Sequence, residues 1–413
     1  MTAAANPDRE VEVAVVGAGP AGAAVATLLA RAGRDVVVID RSAAPAWRAC
    51  GVFSSPASVA ALRRIGLDAR TLDALTRRTP AMRVETLLRT AFRLTYGDDG
   101  SLAAPAVGFA RPALDAAVLD LAAAAGARIM LGTTVEAVEL SDRAGANNRL
   151  ELRRGTAPSR ILARVVVGAD GIRSSVARAA GVARATRLGR RVGLTWHVVD
   201  PRPGERRDAR MVVLRGAYCG LAPVPHGRVN VGLVLHGRDW RSVLAREGAA
   251  ATALRALQAI PRTTDDPTDW AAAERCDPII GASPLGHRVT RRAGPGWILA
   301  GDAGGFLDPF TGEGLHRALV SAELGAAAVD AHLRADRSAL AAYDRAMRNR
   351  FATKDAVSQL VQGFLARPTL FEYAARRLAA RSQVRETMGL VMGDLVPARR
   401  ALDPRFLAGL LAP

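Results

Sequence analysis

Lysine is all but missing from this chain. Lys354 is the single one in 413 residues, so the 57 basic side chains comprise 56 arginines, set against 39 acids for a formal charge of +18. Aromatic residues make up only 4% of the chain, and no arginine cluster carries interleaved aromatics. That excludes the usual signature of a nucleic-acid binder and leaves the charge to attract anionic partners, phosphorylated cofactors included. Cysteine is scarce too. Cys50, Cys219 and Cys276, an odd number spread over a long chain, exclude a disulfide framework and fit a reducing compartment. No uncharged apolar run reaches the ~18 residues of a spanning helix, and the first ten residues lack the basic and apolar regions of a signal peptide. A soluble, cytoplasmic protein is the expectation. The histidines (197, 226, 236, 287, 316 and 332) fall in no metal-ligand spacing.

What is present is glycine at turns. An apolar run, Val11 to Val16, reads as a buried strand and leads into Gly17-Ala18-Gly19-Pro20-Ala21-Gly22, which opens a helix ending near Gly33. A second strand, Val36 to Ile39, stops at Asp40, about 18 residues after Gly22. The spacing suits a dinucleotide: Gly17 for the turn, Gly19 for close approach to a pyrophosphate, Gly22 for helix–strand packing, Asp40 for a ribose. NAD and FAD remain equally open on this motif. A third strand, Val165 to Val167, runs into Gly168-Ala169-Asp170-Gly171-Ile172-Arg173. Far along the chain, Trp297 to Ala300 enters Gly301-Asp302-Ala303-Gly304-Gly305-Phe306-Leu307-Asp308-Pro309-Phe310-Thr311-Gly312-Glu313-Gly314. Five glycines and a proline exclude a regular element there. The helix that follows points its partly positive N-terminus at whatever the loop holds.

Strand patterns dominate residues 82–95 and 189–236, with helices expected over 56–65, from Arg111, and over 240–260, and a strand over 279–284. Residues 81–105 and 189–285 together read as an antiparallel sheet inserted into the nucleotide-binding fold. Beyond Asp330 the chain is almost wholly helical, with Pro368, Pro397 and Pro404 as breaks. Residues 361–413 hold eight arginines against four acids and end in an apolar run. Helices packed on the core are the first reading of this tail, and a face for weak contact with a membrane surface is the second.

Taken together, Gly17–Gly22, Gly168–Arg173 and Gly301-Asp302 with Asp308-Pro309 and Gly312–Gly314 resemble the three FAD motifs of the p-hydroxybenzoate-hydroxylase-like flavoproteins. These include aromatic hydroxylases, flavin halogenases and geranylgeranyl reductases. The resemblance spans roughly residues 11–330. It implies an α/β fold: a discontinuous Rossmann-like FAD-binding domain (1–80, 106–188 and 286–333), the inserted sheet as substrate domain, and a C-terminal helical region (334–413). It also implies roles. Gly17, Gly19, Pro20, Ala21 and Gly22 approach the pyrophosphate, and Asp40, with Arg41 beside it, holds the adenosine ribose. Arg111 sits near the flavin phosphates, Asp170 and Gly171 at the pyrophosphate, and Gly301 and Asp302 at the ribitol. Pro309, Gly312, Glu313 and Gly314 line the isoalloxazine, and Arg48 and Gly51 lie at the flavin edge. Cys50-Gly51 with Ser54-Ser55-Pro56 resembles the reductases' cysteine-glycine turn. Tyr218-Cys219-Gly220-Leu221-Ala222-Pro223 resembles their aromatic-proline substrate motif, with Gly220 and Ala222 where that motif has tryptophan and phenylalanine. The halogenases' tryptophan-rich motif is absent.

In such a protein the difficult chemistry belongs to the cofactor. The candidate catalytic side chains are Cys50, as a thiol beside the flavin, and His316, which opens the helix after the loop; a small buried thiol and an exposed helix residue are the plainer readings. The leading expectation is an FAD-dependent monooxygenase that uses NAD(P)H and O2 on an apolar or aromatic small molecule of specialised metabolism. Shortening of the prenyl motif favours it. The alternative is a reductase of isoprenoid double bonds, and a flavin halogenase or a non-catalytic flavin-binding protein ranks below both. NAD(P)H would bind transiently, since only one dinucleotide fingerprint exists; a ferredoxin or separate reductase is the other source of electrons.

Overall fold

The computed structural model describes residues 9–49, 52–96, 106–143, 145–186, 191–202, 208–264 and 266–411. Five parallel strands form its central sheet, in the order Trp297–Leu299, Ala157–Gly168, Arg9–Val16, Val36–Ile39 and Arg128–Met130, with Ala293–Gly294 antiparallel at one edge. Valine runs suit such strands because both faces are covered. Val13, Val15, Val36, Val38, Val165 and Val167 pack under the helices Pro20–Arg31, Arg111–Ala124 and Gly314–Leu333. Ala14, Val16, Val37, Ile39 and Val166 pack on the opposite side with Leu150 and Leu152. Those two leucines belong to Asn148–Arg154, which pairs antiparallel with the first half of Ala157–Gly168 and on its other side with Thr133–Glu139.

The register decides where the three motifs meet. Val16 stands opposite both Gly168 and Ile39, and Gly168 opposite Leu299. All four strands therefore end at one edge, and the residues after them (Gly17, Asp40, Ala169 and Ala300) share the crevice beyond the strands' C-terminal ends, where doubly wound sheets bind ligands.

The second sheet has seven strands, in the order Ile280–Leu285, Arg191–Val199, Arg228–Leu235, Ala217–Val224, Ala209–Leu214, Ala81–Glu85 and Ala91–Thr95. It is antiparallel except for Ala209–Leu214 against Ala81–Glu85, which pair parallel because they come from stretches of chain far apart rather than from a hairpin. Residues 82–95 are not one strand but a hairpin whose turn carries Arg89 at φ 73°. Side chains alternate along Ala217–Val224: Cys219 and Leu221 face the helix Arg238–Gln258, whereas Tyr218 and Ala222 face the C-terminal helices and the central core. That helix, expected unbroken, kinks at Gly248 (φ 82°).

A third, small sheet was not expected: Phe53–Ser54, Ala106–Phe109 and Thr76–Thr79. Its strands are two to four residues long and one of them is Thr-Arg-Arg-Thr, too short and polar for a period to register. Gly108 lets it lie directly on the second sheet, since a Cβ there would fall 1.9 Å from the Pro223 carbonyl oxygen. Beyond Leu333 come the helices Ala339–Leu365, Pro368–Ala380, Ser382–Met392 and Pro404–Leu411. Pro368 starts its helix at a first-turn position, where a missing N–H costs nothing, so it marks a beginning as much as a break. Among the described residues, no helix is long and apolar enough to cross a membrane.

Candidate functional site

The crevice is built by close backbone approach. At Gly17 (φ 105°) a Cβ would lie 2.4 Å from the Ala169 carbonyl oxygen, so the first and second turns touch without side chains between them. At Gly22 a Cβ would lie 1.9 Å from the Gly17 carbonyl oxygen, locking the helix against its own entry turn. Gly301 (φ 58°) meets Ala21, and its N–H donates to Ser321 Oγ at 2.7 Å, joining the third turn to the same helix start. Gly19, Gly171 and Gly314 differ: a Cβ at each would meet nothing within 4 Å. These three edge open space, as residues bordering a bound molecule must. Pro20 is the first residue of the helix behind Gly19.

Charged groups alternate along this crevice. Asp40 accepts the N–H groups of Ala18 (2.9 Å) and Ser42 (2.8 Å) and the Arg48 guanidinium at 3.2 Å. Burial pushes its carboxyl upward, but these N–H groups and the Arg48 charge outweigh burial and hold it below the usual range. Arg48 thus pairs with Asp40 at the end of the second strand, and Arg41 is exposed. Arg111 Nε bonds both oxygens of the buried Asp115 at 2.8 Å. Burial drives the Asp115 carboxyl up against the pull of Arg111 and Arg48. Asp302 is half-buried, and its carboxylate accepts no hydrogen bond among the described residues. Burial raises its carboxyl too, offset by Arg111 and Arg317. Asp170 holds the first residue of the helix Ser175–Ala179 through Oδ2, which accepts from Ser175 N (2.6 Å) and Oγ (2.7 Å), while its buried Oδ1 has no partner. Asp170 Oδ1, after the second turn, and the Asp302 carboxylate, on the third, are thereby left without a hydrogen-bond donor among the described residues.

The third loop is fixed by an acid whose importance the sequence did not reveal. Asp308 accepts from Tyr218 Oη (2.7 Å), Gln362 Nε2 (2.8 Å) and Phe310 N (3.0 Å), and it pairs with Arg191. One carboxylate thus ties the loop to two strands of the second sheet and to the helix Ala339–Leu365. Burial and the Asp308 charge push the Tyr218 hydroxyl well above its usual value, so it stays a donor. Pro309 begins the turn Pro309–Thr311, and Gly312 (φ 68°) would drive a Cβ to 2.9 Å from the Phe53 ring. Glu313 precedes the helix Gly314–Leu333, accepts from Ser358 Oγ at 2.9 Å and pairs with Arg317.

Beside Phe310 and Thr311 an apolar cavity opens between the second sheet and the C-terminal helices. It runs past Phe53 to Phe371, Phe406 and Leu410, and of its lining side chains only Tyr96 and Thr311 carry a polar atom. His316 does not line it. Its ring turns to the other side of the helix, toward Phe351, and His316 and Arg317 are both shielded rather than exposed as expected. His197 bonds Asp277 through Nδ1 (2.5 Å) and lies 4.4 Å from the Trp47 ring. Burial pushes the Cys219 thiol up to about 12, so it is inert. Cys50 and Gly51 lie outside the described residues.

Both ring nitrogens of His316 are buried without a partner, in a pocket that Arg64, Glu323, Arg350 and Asp394 also line, beside Lys354. Burial lowers its pKa, with Arg350 and Lys354 adding to the effect and Asp394 and Glu313 opposing it. Between that lowered value and the ordinary ~6.5, the unfolded chain holds a proton that the folded chain lacks, so stability rises with pH across the window and falls on acidification. We expect His316→Gln to lose part of the drop in urea midpoint between about pH 7.5 and pH 5. The same drop in both proteins would show that His316 does not titrate differently on folding.

A parallel sheet with three glycine turns at its C-terminal edge, an acid after the second strand and unpaired carboxylates at the other two turns defines a dinucleotide-binding flavoprotein. Residues 10–357 match the FAD binding domain family, and the chain belongs to it: it is an FAD-dependent oxidoreductase. A menaquinone reductase of Mycolicibacterium smegmatis is 30% identical over 93% of this chain and 92% of its own. Digeranylgeranylglycerophospholipid reductase 1 of Methanopyrus kandleri is 27% identical over 80% of this chain and 83% of its own. A crystal structure of a geranylgeranyl bacteriochlorophyll reductase-like protein from Thermoplasma acidophilum shares the fold, with TM-score 0.76 at 17% identity, over 98% of this chain and 97% of that one.

Proposed function

We propose that this protein reduces a carbon–carbon double bond of an isoprenoid chain, and that the chain lies in the apolar cavity beside Phe310 and Thr311. The chemistry of that cavity carries the reading. A polyprenyl tail offers no hydrogen-bonding groups, and this lining asks for almost none. Met82, Met211, Met388 and Met392 add deformable surface. Gly220 and Ala222, which at the level of sequence weighed against a prenyl substrate, stand on the strand of Tyr218, which hydrogen-bonds Asp308 of the loop. Neither residue lines the cavity, so the departure does not narrow it. The names of the two relatives point the same way and shift the balance from oxygenation, the leading expectation from sequence, to reduction.

Bound and reduced, FAD supplies a hydride equivalent to one alkene carbon, and the other carbon takes a proton. This chain's residues would bind and orient. Gly19 and Gly171 would leave space for the pyrophosphate, Asp40 would accept a ribose hydroxyl in exchange for part of its bond to Arg48, and Asp302 would accept from the ribitol. Asp308 holds Pro309–Gly312 against the ring, and the cavity wall excludes water. NAD(P)H or a protein donor would supply the electrons.

The test is turnover of a short-chain prenylated naphthoquinone by reduced enzyme without oxygen. After reoxidation in air, which returns any hydroquinone to the quinone, we expect product heavier by two hydrogens in its prenyl chain. A strict requirement for oxygen, with a gain of one oxygen atom, would overturn the reading in favour of a monooxygenase.

A further inference from the structure

We infer that the surface around the start of the helix Pro368–Ala380 docks on an anionic lipid bilayer and takes the isoprenoid substrate from it directly into the cavity. The purpose of such docking rests on the function proposed above; its geometry does not. Among the described residues the exposed large apolar side chains are Leu88, Val199, Leu254, Leu360, Leu370 and Leu411. Four of these six belong to one place. Leu370 is in the first turn of Pro368–Ala380. The hairpin turn that carries Leu88 is fastened to the same helix, because Thr86 and Thr90 both donate to Glu372. The Leu411 carbonyl accepts from Tyr373 Oη at 2.8 Å. Leu360, near the end of the preceding helix, is 39% exposed and also lines the cavity, as does Phe371 beside Leu370. At Leu360 and Phe371 the cavity wall thus adjoins exposed leucines.

The charge around this rim of leucines is predominantly positive. From residue 366 to 411 there are eight arginines and four acids, and two of those acids, Glu372 and Asp394, are buried with partners of their own. Glu386 and Asp403 alone remain exposed against the arginines. Arg89, next to Leu88, and Arg367, just before the helix, are exposed, and the Arg376 side chain, 71% exposed, pairs with Glu372 at 3.2 Å. Leucines flanked by arginines match the depth profile of an acidic membrane surface, with apolar tips below the headgroups and guanidinium groups among the phosphates. A polyprenyl chain resides in a bilayer rather than in water. A cavity that adjoins such a rim lets it cross without exposing apolar surface, which no dissolved protein partner would require.

Flotation of the FAD-loaded protein with vesicles tests this without any turnover. We expect it to float with vesicles of phosphatidylcholine and phosphatidylglycerol in equal parts and to stay behind with phosphatidylcholine alone. The binding should weaken with added salt. Leu370→Asp with Leu411→Asp, and separately Arg367→Glu with Arg376→Glu, should each lower partition about tenfold, with the flavin absorbance unchanged to show that the fold is intact. Protein that ignores anionic vesicles, or that binds them equally after both pairs of changes, overturns the docking surface. So does a dimer that Leu370→Asp with Leu411→Asp dissociates, since a second copy would then cover the patch. Binding to vesicles with no alkene reduction would leave the docking standing and remove the function proposed above.

Discussion

Gly22→Ala is expected to give protein that no longer retains FAD. The added methyl would sit 1.9 Å from the Gly17 carbonyl oxygen, far inside contact distance and against backbone rather than a side chain that could swing away. Relief requires the helix Pro20–Arg31 to lift from its strand or the Gly17 turn to open. The turn cannot open freely, since Gly17 is itself pressed against the Ala169 carbonyl, at 2.4 Å from where a Cβ would be. Overpacking of this kind costs about 1–3 kcal/mol, and here it falls on the two turns that would border the pyrophosphate. We expect colourless protein, or protein whose affinity for added FAD is at least tenfold weaker by flavin fluorescence, which corresponds to about 1.4 kcal/mol. Gly19→Ala is the control. Its Cβ meets no protein atom, so the apo fold should keep its stability and any loss should appear in FAD affinity alone. Equal FAD affinity in wild type and Gly22→Ala would show that the turn does not border the cofactor.

The central sheet was legible because its strands are unbroken apolar runs that stop at glycine or aspartate, a pattern that survives without tertiary information. Parallel pairing then carries Gly17, Asp40, Ala169 and Ala300 to one edge, so motifs far apart in sequence meet through register alone. Three features were hidden for different reasons. Thr76–Thr79 has no apolar face of its own and is held by its neighbour Ala106–Phe109. Asp308 reads as a turn residue, yet its partners come from strands and a helix between 54 and 117 residues away, a convergence no local pattern encodes. His316 sits in a first helical turn, where exposure is the usual state. It is buried because Ala339–Leu365 and the 394–395 turn cover it, and helix–helix docking cannot be read from one helix's composition. The apolar cavity was illegible for the same reason: its walls are two faces, a sheet and a helical cluster, brought together from opposite ends of the chain.

The same logic identifies the bond whose loss should hurt the fold most. Arg210 is 2% exposed and holds two acids from different parts of the chain: Glu85 through Nε (2.9 Å) and Nη2 (2.8 Å), and Asp266 through Nη1 (2.6 Å). Glu85 ends the strand that joins the hairpin to the second sheet, and Asp266 belongs to the polar segment after the helix Arg238–Gln258. The expected penalty of Arg210→Met comes less from the lost attraction than from what stays behind, two shielded carboxylates, with Arg83 beside Glu85 at 3.1 Å and the charge of Arg202 acting on Asp266. Removing one partner of a buried ion group costs about 3–5 kcal/mol, whereas replacing the whole group with apolar residues is often neutral. Arg210→Met should therefore lower the urea midpoint markedly, and adding Glu85→Leu and Asp266→Asn should restore most of it. Acid supplies an independent check. Asp266 is held below its usual pKa: burial opposes this, but hydrogen bonds from Thr268 and the Arg210 charge prevail. With Arg210 present its contribution is lost as pH falls through that lowered value. Without Arg210 the carboxyl should move upward, and its protonation should then relieve the strain, so the gap between the two proteins narrows on acidification. A gap that stays constant with pH, or a triple variant no more stable than Arg210→Met, would mean that the side chain's volume rather than its charge holds the sheet to its hairpin.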